Sequence, residues 1–175
     1  MKSNRLLLRK FEKTDTLALF EYLSDSEVLK YEPYKPFSLE QAAEEALKRA
    51  ETPEFIAVCT TEGKLIGNLY FAEGNFNTWT LGYVFNKKYL GQGYASESVK
   101  LLLEYVFRET PIHRGVALCN PENKASWSLL ERVGFRREGH LKKNVYFWKD
   151  ETDQPVWQDT FEYGLLKDEC ASLLK

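Results

Sequence analysis

The segment Val84-Phe85-Asn86-Lys87-Lys88-Tyr89-Leu90-Gly91-Gln92-Gly93-Tyr94-Ala95-Ser96-Glu97 carries the residues whose types and spacing best suit chemistry. A strand runs into a tight loop with two glycines, and the loop opens a long helix. Backbone N–H groups at a helix start are unpaired and sit at the positive end of the helix dipole, so they receive phosphate well. Glycines at alternate positions remove the Cβ atoms that would hold a pyrophosphate at a distance. Lys87 and Lys88 add positive charge nearby. Taken alone, the Gly-x-Gly step reads equally as a strand–turn–helix junction in which glycine serves only the turn. A Rossmann or P-loop site fits poorly, because no Gly-x-Gly-x-x-Gly occurs and no Gly-Lys-Ser or Gly-Lys-Thr follows the loop.

A second segment reads Asn120-Pro121-Glu122-Asn123-Lys124-Ala125-Ser126-Trp127-Ser128-Leu129-Leu130-Glu131-Arg132-Val133-Gly134-Phe135. Asn120-Pro121 opens a turn, Asn123 suits a helix N-cap, and Gly134 suits the left-handed position that ends a helix.

The elements that position these segments follow from pattern. Leu6 to Phe11 predicts a first strand, and Thr14 and Asp15 offer N-cap chemistry for a helix through Leu23. Ser38, with Gln41 three residues on, predicts a capping box for a second helix running to about Glu51. Phe55–Cys59, Leu65–Phe71 and Trp79–Phe85 predict a three-stranded meander turning at Glu62-Gly63 and Gly74-Asn75. A long helix is expected from about Ala95 to Arg108, with Val99, Leu102, Leu103 and Val106 at helical spacing. Val116–Leu118 predicts a short buried strand, 124–133 a helix, and Phe135–Leu141 a strand. Val145–Trp148 and Trp157–Leu166 predict a final strand pair joined by the charged turn 150–155.

Length and composition bound the rest. The 175 residues suit one domain, 1–175, and 43% hydrophobic with 29% charged residues is ordinary globular composition. A net charge of -2 gives no reason to expect a nucleic-acid partner. The first apolar run is too short for a signal peptide and none approaches a membrane span, so a cytoplasmic protein is expected. Cys59, Cys119 and Cys170 form no CxxC pair, and His113 and His140 are not at ligand spacing, so no metal site is expected.

With both segments in view, the chain resembles the GNAT superfamily of N-acetyltransferases, and within it the Rim-type branch of ribosomal-protein N-acetyltransferases and their small-molecule relatives. The loop pattern Gln/Arg-x-x-Gly-x-Gly/Ala falls on Leu90 to Ala95, and the branch's fuller Gly-x-Gly-Tyr-Ala-x-Glu falls on Gly91 to Glu97. Asn-x-x-Ser followed by Gly-Phe is matched at Asn123, Ser126, Gly134 and Phe135. The opening Arg5-Leu6-Leu7-Leu8-Arg9 with Asp15, and the closing Trp157-Gln158-Asp159 with Tyr163, resemble the branch's two ends.

The resemblance implies an α+β fold: a mixed, mostly antiparallel central sheet flanked by helices, with a splayed strand pair around Tyr83 and Ala117 gripping pantetheine. It implies acetyl-CoA as acyl donor, its pyrophosphate on the amides of residues 91 to 95. Cofactor contacts are expected at Val84, Phe85, Leu90, Gly91, Gln92, Gly93, Tyr94, Ala95, Asn120, Asn123 and Ser126. The reaction it implies is direct transfer of acetyl to a primary amine, a protein N-terminus or a small molecule. The alternative is a non-catalytic acyl-CoA-binding or sensor module on the same fold. Exposed final strands are free to pair across a homodimer.

Particular residues depart from the family pattern. Many members carry a Tyr acid where this chain has Leu130, which cannot donate a proton. Ser126, one helical turn beyond Asn123, is then the candidate to protonate the leaving thiolate, with water as the alternative. Leu90 stands where Arg or Gln is usual, which removes one phosphate contact and leaves the amides. The strand before the loop, Thr80-Leu81-Gly82-Tyr83, has no carboxylate, which leaves Glu73 or a chain of waters as the candidate base. Glu97 reads as a first-turn acid, and the segment of Tyr31, Pro33, Tyr34, Pro36 and Phe37 as either a lining of the acceptor site or a packed loop.

Overall fold

Leu6 and Leu8 are buried on one side of the first strand while Leu7 packs on the other, so β1 (Leu6–Lys10) feeds two cores at once. The same alternation divides β2 (Phe55–Thr60), where Val58 joins the first core and Ala57 and Cys59 the second. The computed structural model describes residues 1–173. With β3 (Leu65–Glu73), β4 (Thr78–Phe85), β5 (Arg114–Cys119), β6 (Arg136–Val145) and β7 (Gln158–Leu166), these strands form one sheet of order β1-β2-β3-β4-β5-β7-β6. Neighbours are antiparallel except β4 and β5, which is the mixed sheet that the resemblance implies.

Helices close both faces. Val99, Leu102, Leu103 and Val106 of α3 (Tyr94–Glu109) and Leu129 and Leu130 of α4 (Lys124–Arg132) bury against Ile66, Leu69, Ala117 and Leu165. On the other face, α1 (Thr16–Leu23) and α2 (Leu39–Glu51) bring Leu19, Tyr22, Leu23 and Ala46 onto Ala57, Leu65 and Val84. The capping box of α2 is formed: the Gln41 N–H donates to Ser38 Oγ at 3.2 Å and the Ser38 N–H to Gln41 Oε1 at 2.8 Å. The thin buried stripe of α2 includes Arg49, whose guanidinium is held by Glu45 Oε1 at 2.7 Å and Asn68 Oδ1 at 3.0 Å. A buried charge survives only with such partners. Gly134 adopts φ 100 at the end of α4, the left-handed conformation expected of it.

Three readings of the sequence are corrected. Asp15 occupies the N-cap position of α1 without capping it; its carboxylate instead accepts from Arg9 Nη1 and Nη2 at 2.8 and 2.7 Å and from the Glu12 N–H. The pair is bidentate and mostly buried, a stronger use of the carboxylate than an exposed cap. Val145–Trp148 is not a separate strand: β6 runs from Arg136 to Val145 and pairs with β7 from Arg136↔Gly164 to Val145↔Gln158. Two register shifts let this polar, largely exposed edge strand keep its pairing without apolar alternation. Finally, α5 (Lys167–Leu173) follows β7 where no helix was expected. No helix among the described residues is long and apolar enough to cross a membrane.

Candidate active site

β4 and β5 share only three residue pairs, Thr78–Arg114, Trp79–Gly115 and Thr80–Val116. Past these, β4 continues to Phe85 along β3, and β5 continues to Cys119 along β7. Strands held to different neighbours must part, and a cavity of about 740 Å³ opens where they do. Its walls are Leu81–Phe85 on one side and Ala117–Asn120 on the other, with Ser126 and Leu129 from α4 and Asn123 from its N-cap. Residues of the segment 27–33, between α1 and α2, and Phe147 beyond β6 also line it. This is the splayed pair anticipated around Tyr83 and Ala117.

The glycine loop lies at the edge of this opening, with Leu90 and Ala95 in the cavity wall and Gly91 to Tyr94 between them. Gly91 and Gly93 have φ 74 and 81, a region that side chains enter at a cost of about 1–2 kcal/mol. The N–H groups of Gly91 to Ala95 meet no acceptor among the described residues, and they stand at the start of the sixteen-residue α3. Unpaired amides at a helix start fit a pyrophosphate. Arg5 braces the loop: its Nη1 donates to the Gln92 carbonyl at 3.1 Å, its Nε to Glu97 Oε2 at 2.8 Å, and its guanidinium lies 4.7 Å from the Tyr94 ring centre. Glu97 is therefore more than a first-turn acid. Lys88 pairs with Glu21 at 2.7 Å and Lys87 with Asp25, so both lysines tie the loop to α1 and its C-terminal end.

On α4, Asn123 caps the helix, its Oδ1 accepting the Ser126 N–H at 3.1 Å, and its side-chain NH₂ stays available in the cavity wall. Asn120 is held by Gln158, donating Nδ2 to Oε1 at 2.9 Å. Ser126 Oγ lies 3.0 Å from the Tyr83 hydroxyl, which is also 3.0 Å from the Ser126 carbonyl. Burial pushes the Tyr83 phenol above its ordinary range, so it stays protonated throughout the neutral region. Cys119, beside Ser126, is pushed up to about 11 by burial and is a thiol at neutral pH.

Among the acids, Glu73 ends β3 opposite Trp79, exposed, while Tyr83 opposes Leu69. Four residues of strand, about 13 Å, separate Glu73 from the Tyr83 level, and it does not line the cavity. The aromatic segment divides: Tyr31 and Pro33 line the cavity, whereas Tyr34 and Phe37 pack into the second core with ring centres 5.5 Å apart. Leu130, at the position where the resemblance implies a Tyr in many members, is fully buried. His113 and His140 are exposed, His140 pairing with Asp159. The Tyr83 hydroxyl and Glu32 line the cavity and were not singled out from the sequence as chemistry. Tyr83 had a signal, since it sits on the strand expected to splay. Glu32 lay hidden in a segment read for its aromatics. Its carboxyl is pushed up to about 7 by burial, with the Tyr34 hydroxyl and the Arg49 charge pulling it down.

The comparisons with known proteins agree with this geometry. The family described as the acetyltransferase (GNAT) domain matches residues 5–136. The uncharacterized N-acetyltransferase YnaD of Bacillus subtilis (strain 168) is 38% identical over 173 residues, 95% of this chain and 96% of that one. The [ribosomal protein uS5]-alanine N-acetyltransferase of Escherichia coli (strain K12) is 35% identical over 95 residues, 51% of this chain and 49% of that one. An acetyltransferase (GNAT family) from Bacillus anthracis superposes with a TM-score of 0.88 at 37% identity, covering 97% of this chain and 99% of its own. The spermidine N-acetyltransferase from Vibrio cholerae in complex with CoA and spermine shares the fold, with a TM-score of 0.79 at 21% identity over 97% of this chain and 99% of its own. A splayed parallel pair, an amide-lined glycine loop and this set of relatives have one reading: the chain belongs to the GNAT family of acetyl-CoA-dependent N-acetyltransferases.

Proposed function

We propose that the cavity between β4 and β5 passes the acetyl group of acetyl-CoA directly to a primary amine. The observation that carries this reading is the Tyr83–Ser126 hydroxyl pair set in the wall of the gap between the parted strands. Past Thr80 and Val116 the facing edges of β4 and β5 have no ladder partner in each other, which suits the two amides of a pantetheine arm laid between them. The amides of Gly91 to Ala95 take the pyrophosphate, with Leu90, Val84 and Phe85 along the arm. The side-chain NH₂ of Asn123 and the turn held by Asn120 border the acyl end.

Ser126 then faces the sulfur that must leave. Its hydroxyl donates to the thiolate as the C–S bond breaks, and Tyr83, protonated at working pH, replaces that proton and takes one in turn from the attacking nitrogen. The amine attacks the thioester carbonyl itself, because neither nucleophile in the wall is prepared to form an acyl-enzyme: Cys119 is held as a thiol, and no histidine adjoins Ser126. Orientation of the two substrates in one cleft supplies most of the rate.

The test is an acetyl-CoA turnover screen. A peptide with N-terminal alanine, spermidine, an aminoglycoside and an amino-acid amide are each incubated with protein and acetyl-CoA. Thiol release matched by acetylated amine in a mass spectrum is the expected result. Tight acetyl-CoA binding with no turnover across the panel would return the protein to an acyl-CoA-binding module.

A further inference from the structure

Resting on the transfer reading, we propose that Glu32 is its general base, removing a proton from the acceptor's ammonium group at the part of the cavity wall supplied by residues 27–33. An amine arrives protonated, and nitrogen cannot attack while it lacks a lone pair, so a proton acceptor within reach of the bound amine, directly or through water, favours transfer. Two carboxylates line the cavity, Glu27 and Glu32. Glu27 is exposed, whereas Glu32 is half-buried and has no ion-pair partner among the described residues. A short turn fixes its backbone, with the Glu32 N–H donating to the Leu29 carbonyl at 2.9 Å.

The groups whose charge or hydrogen bonding acts on it span three elements. Tyr34 comes from its own segment, Arg49 from α2 and Tyr83 from β4, and the negative charge of Glu32 helps hold the Tyr83 proton in place. Lys30 and Lys87 also line the cavity, Lys87 with its charge engaged by Asp25. Burial leaves the carboxyl titrating at about 7, where roughly half is ionised at neutral pH and its affinity for a proton far exceeds that of an ordinary glutamate. The proton accounting closes. An N–H bond of the ammonium breaks and its proton goes to the Glu32 carboxylate. The freed lone pair forms the N–C bond. On collapse the C–S bond breaks, and sulfur takes the amine's second proton by way of the Tyr83–Ser126 hydroxyls. Glu32 returns its proton to water.

The experiment compares wild type, Glu32→Gln and Glu32→Asp. Acceptors are the N-terminal alanyl peptide, spermidine and hydroxylamine, the last being unprotonated at neutral pH. Glu32→Gln should lower kcat for the first two roughly a hundred-fold and abolish the acidic limb of the pH–rate profile. Hydroxylamine, which needs no base to free its lone pair, should lose less than roughly ten-fold. Glu32→Asp should recover part of the loss. Acetyl-CoA affinity should stay unchanged throughout, because Glu32 is assigned to the acceptor. A titration of wild-type protein carrying ¹³C-labelled glutamate, which requires no acceptor, should show one carboxyl titrating near neutrality that is missing in Glu32→Gln. No such carboxyl, or an undiminished kcat with normal acetyl-CoA binding, overturns the base alone. Absence of acetyl-CoA binding by the wild type removes the transfer reading and the base with it.

Discussion

Arg5 and Glu97, 92 residues apart in the chain, meet beside the glycine loop, with Arg5 Nε 2.8 Å from Glu97 Oε2. The same guanidinium holds the Gln92 carbonyl, and Ser3 Oγ donates to the other oxygen of Glu97 at 2.6 Å. The start of β1 is thereby pinned to the loop whose amides are proposed to take the pyrophosphate. Binding costs less when those amides are already fixed.

Arg5→Ala should therefore raise the acetyl-CoA dissociation constant about three- to ten-fold while costing little stability. An ion pair this exposed contributes about 0–1 kcal/mol to folding. Isothermal titration and thermal melts separate the two effects. Unchanged affinity would show that the loop holds its shape without Arg5.

Gly93→Val tests the cradle itself. At φ 81 a side chain is strained by about 1–2 kcal/mol, tolerable for the fold, but it would stand beside the amides proposed to take the pyrophosphate. Affinity for acetyl-CoA should fall at least ten-fold, and adenosine, which lacks phosphate, should stabilise neither protein. An effect within a factor of about two would take the pyrophosphate elsewhere.

The fold was legible because its signals are local. Alternating leucines mark β1, Ser38 with Gln41 marks the start of α2, and glycine with positive φ marks the loop and the end of α4. The errors lie where tertiary contacts override such signals. Asp15 has cap chemistry and spends it on the Glu12 N–H, one turn before α1, and on Arg9; β6 is polar and pairs through bulges. In the site, Asn123 and Ser126 were visible as a spaced motif on one helix. Glu32 was not, because a carboxyl raised by burial is a property of the surrounding side chains, and Glu73 looked nearer along the chain than it lies in the sheet.

Leu130→Ala should cost about 2–5 kcal/mol, since Leu130 is fully buried with Leu102 and Leu129 in the core. Acetyl-CoA affinity should barely change under conditions where the variant is folded. Chemical denaturation gives the first quantity and titration calorimetry the second. A loss below about 1 kcal/mol would contradict the packing described for α4.

Glu32 also makes stability depend on pH. Its folded carboxyl titrates at about 7, above the ordinary 4.5, so between those values the folded state binds more protons than the unfolded chain. The contribution is fully present below about pH 4.5 and is lost as pH rises to 7. Glu32→Gln removes that loss. The variant should therefore gain on wild type between pH 5 and pH 8, by about 1–2 kcal/mol once the water reaching a half-buried group is allowed for. Melts at both pH values measure it, and a constant difference would mean that Glu32 titrates normally.

The hydroxyl pair makes the sharpest test of the leaving-group step. If Ser126 hands its proton to the thiolate and Tyr83 restores it, the two act as one unit, joined by the 3.0 Å contact. Ser126→Ala should lower kcat roughly ten- to a thousand-fold with acetyl-CoA affinity nearly unchanged, the pattern of an interaction made in the transition state. Tyr83→Phe should fall in the same range, because the serine loses its proton source. The double variant should be little worse than the worse single one, since residues acting as a unit are not additive. Multiplying effects would mean independent roles, with Tyr83 acting on the acetyl group or the amine. Normal turnover in Ser126→Ala would give the proton to water and leave Ser126 as a helix residue.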